Sequence, residues 1–294
     1  MMCGLFHIDT CLMFAAFYDN FSIRLCIYGI IRVTMEVFRM KNKLKILVVI
    51  TFCLMIVVNG LANGLPLNGI STGAISDSYP NLFAPAGITF SIWGVIYLLL
   101  GCFTFYQLGI INKNDHLSEV LLNKVRTLFA LSSVLNILWL FSWHYLMIPL
   151  SMILMIGLLF CLIRIVDAIK VETLNRKEKF FVKLPFSLYF GWITVATIAN
   201  ASVLLVSLAW NRFGIPESVW TSIIIVVGAL IGILAILTNK DYFYGLVIIW
   251  AYNGIIIKHT TEFQSQYPSI IMTTAICIGC VVIAEIYVLR KRAF

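Results

Sequence analysis

A block of apolar residues long enough to cross a bilayer recurs eight times, at about 44–63, 87–110, 125–146, 148–169, 184–208, 218–238, 242–258 and 269–289. A helix rising about 1.5 Å per residue needs roughly 20 residues to cross some 30 Å of hydrocarbon. The blocks are continuous, unlike the ten-residue alternating strands of an outer-membrane barrel. With 61% hydrophobic and 12% charged residues among 294, and a mean hydropathy of +0.99, a soluble domain could not hide so much apolar surface. The expected fold is an all-α integral membrane protein of about eight transmembrane helices.

The basic residues test that count. If Lys41, Lys43 and Lys45 are cytoplasmic, alternate loops should be basic, and they are: Lys113, Lys124 and Arg126; Lys170, Arg176, Lys177, Lys179 and Lys183; Lys240; Arg290, Lys291 and Arg292. The opposite set holds only Arg212 and Lys258. This asymmetry predicts an even number of spans with both termini in the cytoplasm. It also accounts for the net charge of +8, since the cations are spread over short loops and form no stripe interleaved with aromatics. The expected partner is the lipid bilayer and not nucleic acid. Five cysteines, Cys53, Cys102, Cys161, Cys277 and Cys280, fall inside apolar runs and read as small hydrophobes. Although the last two form a C-x-x-C pair, no second pair accompanies them, so neither a metal site nor a disulfide framework is expected.

Residues 1–39 differ from the rest, because Asp9, Asp19, Arg24, Arg32 and Glu36 interrupt every apolar run. From Met40 the text becomes MKNKLKILVVITFCLMIVV, lysines followed by a clean apolar block. Met40 is therefore expected as the working start, with 1–39 either over-called translation or a disordered or interfacial leader. A cleaved signal peptide is the competing reading, but the block runs on to about Asn63, which favours a retained helix. The three-lysine start suits a bacterial cytoplasmic membrane.

The longest loop of the lysine-poor set, GLPLNGISTGAISDSYPNLFAPA at 64–86, is rich in Gly, Pro, Ser and Asn. It must lie outside hydrocarbon or pack on protein. It reads either as a solvated linker or as a lid over the bundle. The tryptophans sort by depth: Trp143, Trp210 and Trp220 sit at span ends and read as interfacial belt residues. Trp93, Trp139, Trp192 and Trp250 do not, Trp93 and Trp139 being roughly 10 Å below their helix ends. Polar groups share the faces of the deep tryptophans. Tyr97 is one turn from Trp93, and Asn136 is three residues from Trp139; Trp192, Ala196 and Asn200 recur every fourth residue. Asn136 and Asn200 read either as helix-to-helix hydrogen-bond glue or as the anchors of an aromatic pocket for a rigid, apolar ligand.

These residues resemble the tryptophan-rich sensory protein or translocator protein (TspO/MBR) family. In PAGITFSIWGVIY, Pro85, Trp93 and Tyr97 keep the intervals of the family's second helix; Asn136 and Trp139 match the N-x-x-W of its third; Trp192, Ala196 and Asn200 match the W-x-x-x-A-x-x-x-N of its fifth. Departures are Ala84 for the first of two prolines, Gly87 where Trp is common, Phe90 one place late, Phe186 for Tyr, and three extra residues between Pro185 and Trp192. The motifs cover about 44–209, giving an expected division into a leader at 1–39, a five-helix bundle at 40–210 and three further helices at 211–294.

The resemblance implies a pocket lined by Trp93, Tyr97, Asn136, Trp139, Trp192, Ala196 and Asn200. Asp77, Ser78, Tyr79, Asn81 and Pro85 would lie in the lid loop. It further implies a tetrapyrrole such as protoporphyrin IX or haem, or a sterol-like lipid, as ligand, with no required cofactor. A receptor or sensor is thus the first expectation. A permease for a small hydrophobic solute is the alternative, disfavoured because ionisable residues are scarce at mid-membrane; Arg164, Asp167 and Glu285 lie near span ends and read as snorkelling. An enzyme is the least expected class, for the spans carry no H-E-x-x-H, paired carboxylates or Ser with a nearby His base. His144, beside Trp143, reads as an interfacial histidine. A homodimer is left open.

Overall fold

The computed structural model describes residues 43–62, 64, 67–109 and 117–293. The leader expected over 1–39 lies outside the described residues, as does Lys113. The chain divides into Met1–Ile46, described only in the first turn of α1, and Leu47–Phe294.

Helix α1 spans Lys43–Ala62, and the loop after it carries a short helix, α2 (Thr72–Asp77), capped by Ser71, whose hydroxyl accepts the Ala74 N–H at 3.3 Å. A 3₁₀ turn, Gly87–Ser91, leads into α3 (Ile92–Tyr106). Then follow α4 (Glu119–His144), α5 (Ile148–Lys170), the single turn α6 (Arg176–Glu178) and α7 (Leu184–Ser207). The chain closes with α8 (Glu217–Asn239), α9 (Tyr242–Thr261) and α10 (Pro268–Ala293). Among the described residues all regular structure is helical, as the continuous apolar blocks require. It is an all-α membrane protein.

Seven helices are long and apolar enough to span a bilayer. The eighth block, expected at 242–258, does form a helix but falls outside that set. It packs against α7, α8 and α10, and several of its polar groups meet protein instead of lipid. Tyr252 donates to the Ile225 carbonyl at 2.6 Å, and the Trp250 indole N–H donates to the Thr89 carbonyl at 2.9 Å. By contrast α8 shows Leu230, Ile231 and Leu234 outward and turns Gly228 and Gly232 inward. A Cβ on Gly228 would lie 2.6 Å from the Tyr252 hydroxyl, so this G-x-x-x-G spacing lets α8 and α9 approach closely.

Two expectations at the lysine-rich end are corrected. Arg126, counted above as a loop charge, lies in the second turn of α4 and is 1% exposed. Its guanidinium donates to the Gln107 side chain and carbonyl, both at 3.1 Å, to Asn123 at 2.8 Å and to Glu119 at 2.9 Å. A guanidinium with this many acceptors can be buried, so α4 begins before the expected residue 125. Pro185 does stand in the first turn of α7, but the span does not begin there. A continuous helical stretch runs over Arg176–Ser207, with a π turn at Lys179–Lys183 just before the proline. The wider turn accommodates a residue that has no N–H and would crowd a carbonyl of the preceding turn.

Candidate functional site

The deep aromatic residues converge beneath the loop that carries α2. Trp93 is central: its ring stacks on Tyr97 at 5.2 Å and meets Tyr189 and Trp192 edge-on, each at 6.0 Å. Phe90 adds a second edge contact to Trp192 at 5.8 Å. A cavity of about 430 Å³ opens beside them, lined by Phe90, Trp93, Tyr97 and Trp139 from the helices and by residues 71–74 and Asp77 from the loop. This lies within the roughly 300–1,000 Å³ common for small-molecule sites. A smaller compartment of about 40 Å³ shares Thr72, Phe90, Trp93 and Trp139 with it, and is closed by Trp192, Ala196, Asn200 and Pro85.

The amides hold the walls in place. Asn200 is 2% exposed; its Oδ1 accepts the Trp139 indole N–H at 2.9 Å, and its Nδ2 donates to the Ser151 hydroxyl at 3.1 Å. One side chain thus joins α4, α5 and α7 and fixes the Trp139 ring. Asn136 is fully buried behind the wall, accepting from Asn59 at 2.8 Å and donating to the Tyr189 hydroxyl at 3.2 Å. Of the two readings open for these amides, the geometry places Asn136 among helix-to-helix contacts and gives Asn200 both a helix-joining and a cavity-lining position.

Two donors at this site have no partner: the Trp192 indole N–H and the Tyr97 hydroxyl, both atoms buried. Leaving a buried donor unpaired costs on the order of 1–3 kcal/mol.

The loop residues divide. Asp77 reaches the larger cavity, and Pro85 the smaller. Tyr79 and Asn81 face a separate polar cavity of about 460 Å³ on the other side of the loop, where Asp77, Lys258 and Glu262 also lie. Ser78 donates to the Ile75 carbonyl at 2.7 Å and closes α2. Asn81 shapes the descent, its Oδ1 accepting the Ala84 N–H at 2.9 Å.

Trp143 and His144, expected at the interface, are instead buried. Trp143 stacks on Trp139 at 5.8 Å and donates to the Thr72 carbonyl at 3.1 Å, while His144 Nε2 lies 3.0 Å from the Thr72 hydroxyl. Helix α2 covers the end of α4, so a depth counted along one helix misplaces both. Trp210 and Trp220 are half-buried at adjoining helix ends, edge-on at 4.8 Å. Asn59, Thr72 and Phe90 were not anticipated. An amide late in the first apolar block was the available signal for Asn59.

A comparison with known families matches residues 45–287 to the TSPO-like protein family. The chain belongs to that family. The match continues through α8, α9 and most of α10, past the limit near residue 209 that the motifs alone suggested. No curated protein and no solved structure matches the chain. At the site, Gly87, standing where the TspO pattern commonly has Trp, borders the larger cavity, so the missing indole leaves that side open.

Proposed function

We propose that this TSPO-like protein is a membrane receptor or sensor for a planar, largely hydrophobic ligand carrying hydrogen-bond acceptors. A tetrapyrrole such as protoporphyrin IX or haem fits that description, and so does a sterol-like lipid. The observation that carries the reading is the cavity of about 430 Å³ walled by Phe90, Trp93, Tyr97 and Trp139, with the smaller compartment closed by Trp192 and Asn200 beside it. Indole and phenol faces supply contact area at little rotamer cost, and the few polar groups beside them, Asn59, Thr72 and Asp77, would orient a ligand. No catalytic role is proposed, and none of the lining groups is assigned to a reaction. The lysine-rich end is proposed to face the cytoplasm of a bacterial cell, which puts the loop and its pocket in the outer half of the membrane.

Titration of the detergent-solubilised protein with protoporphyrin IX, read by tryptophan quenching against an unrelated eight-span protein, tests this. Saturable quenching at micromolar ligand is expected. Trp139→Phe, which frees Asn200 and softens the wall, should weaken binding by about ten-fold, the equivalent of one hydrogen bond of about 1.4 kcal/mol. Quenching no stronger than the control would refute the tetrapyrrole reading.

A further inference from the structure

Helix α9 meets the loop over the pocket in a regular register. Trp250, Gly254 and Lys258 recur every fourth residue and so share one face. The Trp250 indole N–H donates to the Thr89 carbonyl at 2.9 Å, the Gly254 carbonyl accepts the Ala86 N–H at 3.0 Å, and Lys258 Nζ pairs with Asp77 at 2.6 Å. His259 adds a contact to the Leu82 carbonyl at 2.9 Å. From Trp250 through Gly254 to Lys258 the partners descend from residue 89 through 86 to 77, with His259 returning to 82, so the helix runs broadly antiparallel to this part of the chain. At Gly254 no side chain fits, because a Cβ would collide with Thr89 Oγ1.

The contacts differ in kind. Those to Thr89, Ala86 and Leu82 engage main-chain groups in the buried part of the loop. The Lys258–Asp77 pair has one member 8% exposed and the other 59% exposed, so water can reach its acid side. Asp77 also borders both the aromatic cavity and the polar cavity beyond the loop. We infer that α9 is a clasp for the lid, with Gly254 against Thr89 as its fixed point and the Lys258–Asp77 ion pair as a catch whose release uncovers the aromatic pocket. This rests on the pocket reading above for its consequence to ligand entry, while the clasp itself is a property of the chain alone.

The test uses two readouts on the full chain. Ser76, 8% exposed and bordering the smaller aromatic compartment and the outer polar cavity, is changed to Cys, and its maleimide labelling rate is measured with the unsubstituted protein as blank. Lys258→Met or Asp77→Asn should raise that rate about five-fold, the factor matching loss of a part-exposed pair of about 1 kcal/mol. The double variant should add nothing further. Because Glu262 lies 3.8 Å from Lys258 Nζ, the exchanged pair Lys258→Asp with Asp77→Lys is made together with Glu262→Gln; it should return the rate toward the parent, which mere loosening of α9 would not allow. Stopped-flow quenching by protoporphyrin IX should show association faster by a similar factor. Labelling that stays at the parent rate in both single variants overturns the clasp. Faster labelling without porphyrin quenching sustains the clasp and sinks the tetrapyrrole reading alone.

Discussion

At the scale of single residues, the paired and unpaired polar groups make opposite predictions. The Trp192 N–H has no hydrogen-bond partner, so Trp192→Phe breaks no hydrogen bond and loses only part of the ring contact with Trp93 and Phe90; it should lower the thermal midpoint in detergent less than a scaffold variant does, while weakening porphyrin affinity several-fold. Asn136 joins Asn59 to Tyr189, so Asn136→Leu should lower stability by about 1–2 kcal/mol in reversible unfolding from detergent. If both variants melt alike, the distinction between wall and scaffold fails. The sequence shows that Asn136, Trp139, Trp192 and Asn200 are out of place in lipid, because polar and large aromatic groups recur on single helical faces. It does not show who bonds whom. The Asn59–Asn136 pair crosses 77 positions, and nothing local to either residue encodes that. Trp143 and His144 are misread for a related reason, since their depth depends on α2, a six-residue helix in a loop with no apolar periodicity of its own.

Among elements, the α8–α9 contact leaves no room for a side chain at Gly228. Gly228 faces the Tyr252 hydroxyl, which itself donates to the Ile225 carbonyl. A larger residue would force the helices apart and break that bond. Gly228→Leu should cost about 2–4 kcal/mol, from overpacking of about 1–3 kcal/mol and a lost hydrogen bond of about 1 kcal/mol; a thermal midpoint equal to that of the parent would count against the close approach. All eight long helices are legible as apolar blocks, and seven of them keep spanning length and hydropathy in the structure, because lipid imposes both on what it touches. Helix α9 answers that demand on one face only: Leu246, Trp250 and Ile257 are exposed, while Tyr252, Lys258 and His259 are buried against protein, which relaxes it. The same relaxation hides the roles of Lys258 and Arg126. A charge within a turn or two of a helix end reads as a loop residue until its acceptors are known.

For the whole molecule, residues 47–294 form one unit, and the family match spans 45–287. Helix α9 contributes to that unit by packing on α7 and by holding the loop over the pocket. A chain ending at residue 210 would keep every motif of the TspO resemblance but lose the partners of Thr89, Ala86 and Asp77. It should therefore label far faster at Ser76→Cys than the full chain and hold porphyrin at least ten-fold more weakly. Wild-type behaviour in the truncated chain would show that the first five spans suffice. The motifs at Trp93, Trp139 and Trp192 delimit the pocket well, but they carry no information about what restrains its cover.

The glycine wedged against Thr89 makes the α9 face readable in sequences that have no structure. Trp250, Gly254 and Lys258 spell W-x-x-x-G-x-x-x-K within WAYNGIIIK, and each letter has its own counterpart upstream. Family members that keep the glycine should hold a small or β-branched residue opposite it, and those that lose the lysine should lose the acid at the position of Asp77 as well. Covariation between those two columns, some 181 positions apart, would carry the record of the catch through the lineage.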